Sequence, residues 1–153
     1  MGKVKALIVD DSKIMRSAVK RALNQLMLAD FEFVEAKNGV EALQQFNNNE
    51  IQIVFVDWNM PSMSGLEFAM EVRKLRSSSD VPIVMVTSEK SMDKIDKALS
   101  NGGVNEYVTK PYTADKMSKA IGKYFTDEGE ISSEAMKAGQ NGSKGFFKKI
   151  LNS

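Results

Sequence analysis

The chain has 153 residues, 42% of them apolar and 27% charged, with a net charge of +1, which fits one soluble domain able to bury about 70% of its unfolded surface. It contains neither Cys nor His. That excludes disulfides, thiolate zinc sites, thiol catalysis, histidine metal sites, histidine general-base chemistry and a phosphohistidine carrier role. The near-neutral charge argues neither for nor against a polyanionic partner. Met1-Gly2-Lys3-Val4-Lys5 leads straight into a strand with no signal peptide, and no apolar stretch approaches the length of a membrane span, so a cytoplasmic protein is expected.

Strand-like and helix-like segments alternate five times. Lys5 to Val9 reads as a strand, and Ser12 to Leu26 as a helix with Ile14, Met15, Ala18, Val19, Ala22, Leu23 and Leu26 at helical spacing. Phe31 to Ala36 is a second strand, ended by Asn38-Gly39, and Val40 to Asn47 a helix with Ala42, Leu43 and Phe46 on one face. Ile51 to Val56 is the third and most apolar strand, expected at the centre of the sheet. Leu66 to Leu75 is a helix, and Val81 to Val86 a strand with Pro82 at its start, where a missing N–H costs little. Ser91 to Ser100 is a more polar helix stopped by Asn101-Gly102-Gly103, Glu106 to Thr109 a short last strand, and Thr113 the cap of a closing helix through Phe125. Such alternation predicts an α/β fold: a five-stranded, doubly wound parallel sheet with helices on both faces.

One domain is expected over residues 1–126, followed by a linker and tail over 127–153, where Gly129, Gly139, Gly142 and Gly145 break regular structure. The tail is charge-polarised, with Asp127, Glu128, Glu130 and Glu134 ahead of Lys137, Lys144, Lys148 and Lys149. Phe146, Phe147, Ile150 and Leu151 can line one side of its last segment and lysines the other. It reads either as a solvated tail or as a basic amphipathic peptide that docks on a partner or a membrane surface.

The chemistry lies at strand ends. Ala6-Leu7-Ile8-Val9 ends on Asp10 and Asp11, the third strand on Asp57, the fourth on Thr87-Ser88-Glu89, and the fifth on Lys110-Pro111. In open α/β sheets ligands bind outside the carboxyl ends of the strands. If the strands are adjacent, one edge carries three acids, a hydroxyl and an ammonium. Three clustered carboxylates are hard to keep ionised without a cation, and Mg²⁺ favours such oxygen ligands. The set suits phosphoryl transfer to a carboxylate: Asp57 as nucleophile, Mg²⁺ offsetting the acids, Lys110 pairing with one phosphoryl oxygen and Thr87 donating to another. Taken singly each residue has a plainer reading: a turn or helix cap for Asp57 and for Asp10-Asp11, a strand residue for Thr87, a solvated lysine for Lys110. Together, all at the same ends of their strands, they favour the site.

Val9-Asp10-Asp11, Val56-Asp57-Trp58-Asn59-Met60-Pro61, Met85-Val86-Thr87-Ser88 and Tyr107-Val108-Thr109-Lys110-Pro111, in this order and spacing, resemble the receiver domain of two-component response regulators over about Lys3 to Phe125. Asp57 to Pro61 followed by Gly65-Leu66-Glu67 is most similar to the CheY-like chemotaxis subclass of this flavodoxin-like fold. The resemblance implies phosphorylation of Asp57 by a CheA-like histidine kinase. It implies Mg²⁺ held by Asp11, Asp57 and the main-chain carbonyl of Asn59, with Asp10 acting through water. It makes Thr87 and Tyr107 a switch pair, Tyr107 filling the space left as Thr87 moves toward the phosphoryl group, and the Lys110-Pro111 bond cis. Asn59 and Glu89 flank the phosphoryl site, and in the family this pair goes with rapid loss of phosphate. A stand-alone regulator is expected, acting on the flagellar switch or another motility protein, with a possible phosphatase.

Two other readings stand beside this switch. A phosphate sink would compete for the kinase and bind no motor. A Mg²⁺-dependent aspartyl-phosphate hydrolase similar to the haloacid dehalogenases would use Asp57-Trp58-Asn59 as its Asp-x-Asp, though Asn59 cannot donate a proton as an acid would. Lys144, Lys148 and Lys149 alone are a weak nucleic-acid footprint, so no specific nucleic acid is expected.

Overall fold

A computed structural model describes residues 3–77 and 80–132. The elements alternate as β1 Lys3–Val9, α1 Lys13–Leu26, β2 Asp30–Ala36, α2 Gly39–Asn48, β3 Ile53–Val56, α3 Gly65–Leu75, β4 Ile83–Thr87, α4 Met92–Ser100, β5 Glu106–Thr109 and α5 Ala114–Ile121. All four strand pairings are parallel, in the order β2-β1-β3-β4-β5. β3 lies at the centre, as its apolar run implied, and β2 and β5 form the edges. The order reverses direction at β1 and β3, which puts a crevice above their carboxyl ends.

Because side chains alternate across a strand, the sheet feeds two cores. Leu7, Val9, Val54, Val56, Ile83 and Met85 face Phe46 of α2, Phe68 and Val72 of α3 and Ile95 of α4. Val4, Ala6, Ile8, Ile53, Phe55, Val84 and Val108 face Val19 and Leu23 of α1 and Met117 and Ile121 of α5. β3 is buried at every position, which explains why its sequence does not alternate.

Helix starts are set by side-chain caps. Ser12, Asn38, Ser64, Ser91 and Thr113 each accept a hydrogen bond from the backbone N–H three residues on. Ser64 and Glu67 form a full capping box.

Several boundaries differ from the sequence expectation, β1 beginning at Lys3 rather than Lys5 and β4 at Ile83 rather than Val81. β3 begins at Ile53 rather than Ile51, because Gln52 is bound sideways to β1: its N–H donates to the Lys5 carbonyl at 2.9 Å and its side chain accepts from the Lys5 N–H at 3.0 Å. The closing helix ends at Ile121 and tightens into a 3-10 turn at Gly122–Tyr124. Beyond it the chain folds back rather than leaving the body. Phe125 pairs antiparallel with Ile131, Thr126 N–H donates to the Glu130 carbonyl at 2.7 Å, and Gly129 takes the positive φ (79°) that closes the turn. Ile131 and Phe125 pack on the α1/α5 core, Phe125 edge-on to Phe31. The basic amphipathic segment around Phe146 to Leu151 lies outside the described residues.

Candidate functional site

The carboxyl ends of β1, β3, β4 and β5 bring Asp10, Asp11, Asp57, Thr87 and Lys110 to one edge of the sheet. Asp10, Asp11 and Asp57 each offer a carboxylate oxygen, all within 4.8 Å of one another. Asp10 and Asp57 are buried and Asp11 is exposed, so the cluster opens to solvent on one side. Lys110 Nζ reaches over from β5 to lie 2.9 Å from Asp10 Oδ2 and 3.6 Å from Asp57 Oδ2. The Lys110–Pro111 peptide is cis.

Asp57 carries the chemical potential of the site. Its Oδ1 is buried and has no hydrogen-bond partner. Burial drives its pKa above the usual carboxylate value; the Thr87 hydroxyl and then the Lys110 charge pull it back, while Asp10 adds to the rise. A buried, unsatisfied carboxylate oxygen beside two more acids is a costly arrangement without a further cation. That orphaned atom and the all-oxygen donor set fit a hard divalent ion such as Mg²⁺.

Side chains one step out hold these groups. Asp10 Oδ1 accepts from the Ser12 N–H at 2.9 Å, so one carboxylate both starts α1 and meets Lys110. Arg16 Nη1 donates to the Asp10 carbonyl at 2.7 Å, and its Nε donates to Glu35 Oε1 at 3.0 Å. Lys20 donates to the other Glu35 oxygen at 2.9 Å, and these partners, Lys20 first, hold the Glu35 carboxyl below its ordinary pKa. Sequence reasoning missed this Arg16–Glu35–Lys20 clamp; its only signal was Arg16 and Lys20 standing one helical turn apart.

The rim is built on Glu89. Its N–H donates to Thr87 Oγ1 at 3.3 Å, and its carbonyl accepts from Tyr107 Oη at 2.7 Å. Its carboxylate takes Asn59 Nδ2 at 2.8 Å and Lys94 Nζ at 3.1 Å. Tyr107 is buried, and burial together with the Glu89 and Asp57 charges raises its phenol pKa. Its ring lies inside, packed in the core beside the site. Asn59, which a dehalogenase-like hydrolase would need as a proton donor, instead donates its amide to Glu89.

This arrangement of parallel sheet, acid cluster and strand-end lysine defines a class. The sequence matches the family model of the response regulator receiver domain over residues 6–122, and the chain belongs to that family. Among curated proteins it is similar to the chemotaxis protein CheY homolog of Campylobacter jejuni, 39% identical over 136 residues that span 86% of this chain and 100% of that one. Among solved structures it resembles the chemotaxis response regulator CheY4 of Vibrio cholerae (31% identity, TM-score 0.67, covering 76% of this chain and 94% of that chain). It also resembles the response regulator TrrA of Thermotoga maritima in complex with Mg²⁺-BeF (32% identity, TM-score 0.67, covering 78% and 97%). The receiver domain is thus of the CheY chemotaxis type. Among the described residues no helix is long and apolar enough to cross a membrane.

Proposed function

We propose that the chain is a cytoplasmic phosphorylation-dependent binding switch. Asp57 takes a phosphoryl group from phosphohistidine on a chemotaxis-type kinase, and the modified domain changes its affinity for a motility protein, a flagellar switch component being the expected one. The observation that carries this reading is the buried Asp57 carboxylate, its Oδ1 unpartnered and its Oδ2 3.6 Å from Lys110 Nζ, in one cluster with Asp10 and Asp11.

An Asp57 carboxylate oxygen attacks phosphorus, the bond from phosphorus to the donor nitrogen breaks, and its electron pair stays on the departing imidazole, which is protonated. Lys110 Nζ, mobile on a flexible stem, turns from Asp10 toward a phosphoryl oxygen, and the Thr87 hydroxyl donates to another. Asp11, Asp57 and the Asn59 carbonyl would hold Mg²⁺, with Asp10 acting through water, and the ion would supply charge that keeps the acids ionised and screens the incoming phosphoryl oxygens. In release, water oxygen attacks phosphorus, the acyl O–P bond breaks, and its electron pair returns to Asp57. The chain catalyses these steps on itself and turns over no separate substrate.

Tyr107 and Thr87 couple the site to the outer face of β5. Phosphorylation favours the inward arrangement, in which the Tyr107 hydroxyl donates to the Glu89 carbonyl, and a partial population swing needs less than the roughly 5.5 kcal/mol of a near-complete one.

The test is direct labelling. With Mg²⁺ and a small phosphodonor, the protein acquires one acid-stable, base-labile phosphoryl group, and Asp57→Asn acquires none. Phosphorylation-dependent binding to a flagellar switch protein confirms the output; labelling without any such binding leaves a phosphate sink. An unlabelled wild-type protein overturns the proposal.

A further inference from the structure

Lys94 stands at the third position of α4, where its N–H is capped by the Ser91 hydroxyl. At the matching position α2 and α3 carry Glu41 and Glu67, whose charge suits a helix N-terminus. A lysine there opposes the helix dipole, so its charge is placed for another reason. In α5 the equivalent Lys116 turns back to Thr109. Lys94 turns toward the phosphorylation site.

Its ammonium lies 3.1 Å from Glu89 Oε2 and 5.4 Å from the centroid of the Trp58 ring, the residue directly after Asp57. Glu89 Oε1 holds Asn59 Nδ2 at 2.8 Å. The Glu89 carboxylate is therefore fixed at both ends, by the loop after β3 through Asn59 and by α4 through Lys94. Without Lys94, this half-exposed carboxylate keeps a single hydrogen bond and gains rotamer freedom.

We propose that Lys94 is a positioning residue for loss of phosphate from Asp57: it holds Glu89 against Asn59 so that the two side chains orient the incoming water, and it thereby sets the lifetime of the signal. The inference rests on the proposed phosphorylation of Asp57. The chemistry is the hydrolysis above: the water oxygen bonds to phosphorus, the acyl O–P bond breaks, and the released protons pass to phosphate and solvent. Lys94 touches none of the reacting atoms and acts through Glu89. It should matter for release and not for capture, because in capture the incoming group is a whole phosphodonor rather than one small water.

The test follows decay of the phosphorylated chain after donor removal, with Mg²⁺ present, in wild type, Lys94→Met, Lys94→Arg, Glu89→Ala and the Glu89→Ala/Lys94→Met double variant. Lys94→Met should lengthen the lifetime about two- to fivefold, the rate equivalent of an ion pair at an exposed site, with an unchanged initial rate of labelling. Lys94→Arg should restore most of the wild-type decay, and the double variant should decay as Glu89→Ala alone. Added salt should slow the wild type and leave Lys94→Met nearly unaffected, which general damage to the fold would not reproduce. Wild-type decay in Lys94→Met, or an effect of residue 94 that persists in the Glu89→Ala background, overturns the inference while leaving phosphorylation intact. Failure of the wild type to take up label removes both.

Discussion

Asn59 and Glu89, thirty residues apart in the chain, share a 2.8 Å hydrogen bond that ties the loop after β3 to the loop after β4. The bond stands beside the carboxylate at which a phosphoryl group would arrive, so the same two side chains meet any water that would remove it. A short-lived signal is expected. Replacing Asn59 by Ala, or Glu89 by Ala, should lengthen the life of the phosphorylated form several-fold without abolishing its formation. Radiolabel decay measures this, and a wild-type lifetime of hours would contradict it.

Divalent-ion dependence follows from the crowding of Asp10, Asp11 and Asp57 within 4.8 Å. Chelation by EDTA should stop labelling, and added Mg²⁺ should restore it. Trp58, the only tryptophan, is buried beside Asp57 with Lys94 near its ring, so its emission should respond first to Mg²⁺ and then to a small phosphodonor or beryllofluoride. Asp57→Asn should weaken the first response and abolish the second. A fluorescence titration decides, and an ion response unaltered in Asp57→Asn would place the ion elsewhere.

Gly65 opens α3 directly under the nucleophile. Its N–H donates to the Trp58 carbonyl at 2.8 Å, and a methyl group on its Cα would collide with the Asp57 carbonyl oxygen. Gly65→Ala must push α3 away from the β3 terminus. It should cost about 1–3 kcal/mol in urea unfolding and slow labelling as well, since the contact that is strained runs to the Asp57 backbone. A variant as stable and as reactive as wild type would show that the helix yields without disturbing the site.

Glu35 should contribute to the acid sensitivity of the fold. Lys20 and Arg16 depress its carboxyl pKa in the folded state, so folding is favoured by the ionised form. That contribution is present above the unfolded carboxylate pKa and is lost as pH falls through the lower folded value. Glu35→Gln should therefore destabilise the domain at neutral pH and flatten its acid limb. Thermal melts across the acid range measure this, and parallel curves for the two proteins would exclude the linkage.

By itself the sequence determined the alternation of elements and the positions of Asp10, Asp11, Asp57, Thr87 and Lys110 at the ends of strands. Those are local properties: a buried β3 reads as an unbroken apolar run, helices show their period, and Ser or Thr caps and Gly stops mark their ends. A strand-end residue needs only its own strand to be recognised. What the tertiary structure decided is who meets whom. The strand order 2-1-3-4-5 brought the four loops together; Arg16 closed on Asp10 and Glu35, Asn59 and Lys94 closed on Glu89, Tyr107 was drawn inside, and the chain after Tyr124 turned back through Gly129 onto the α1/α5 core. These contacts join segments tens of residues apart and depend on rotamers chosen by packing, and no local pattern along the chain encodes such a choice.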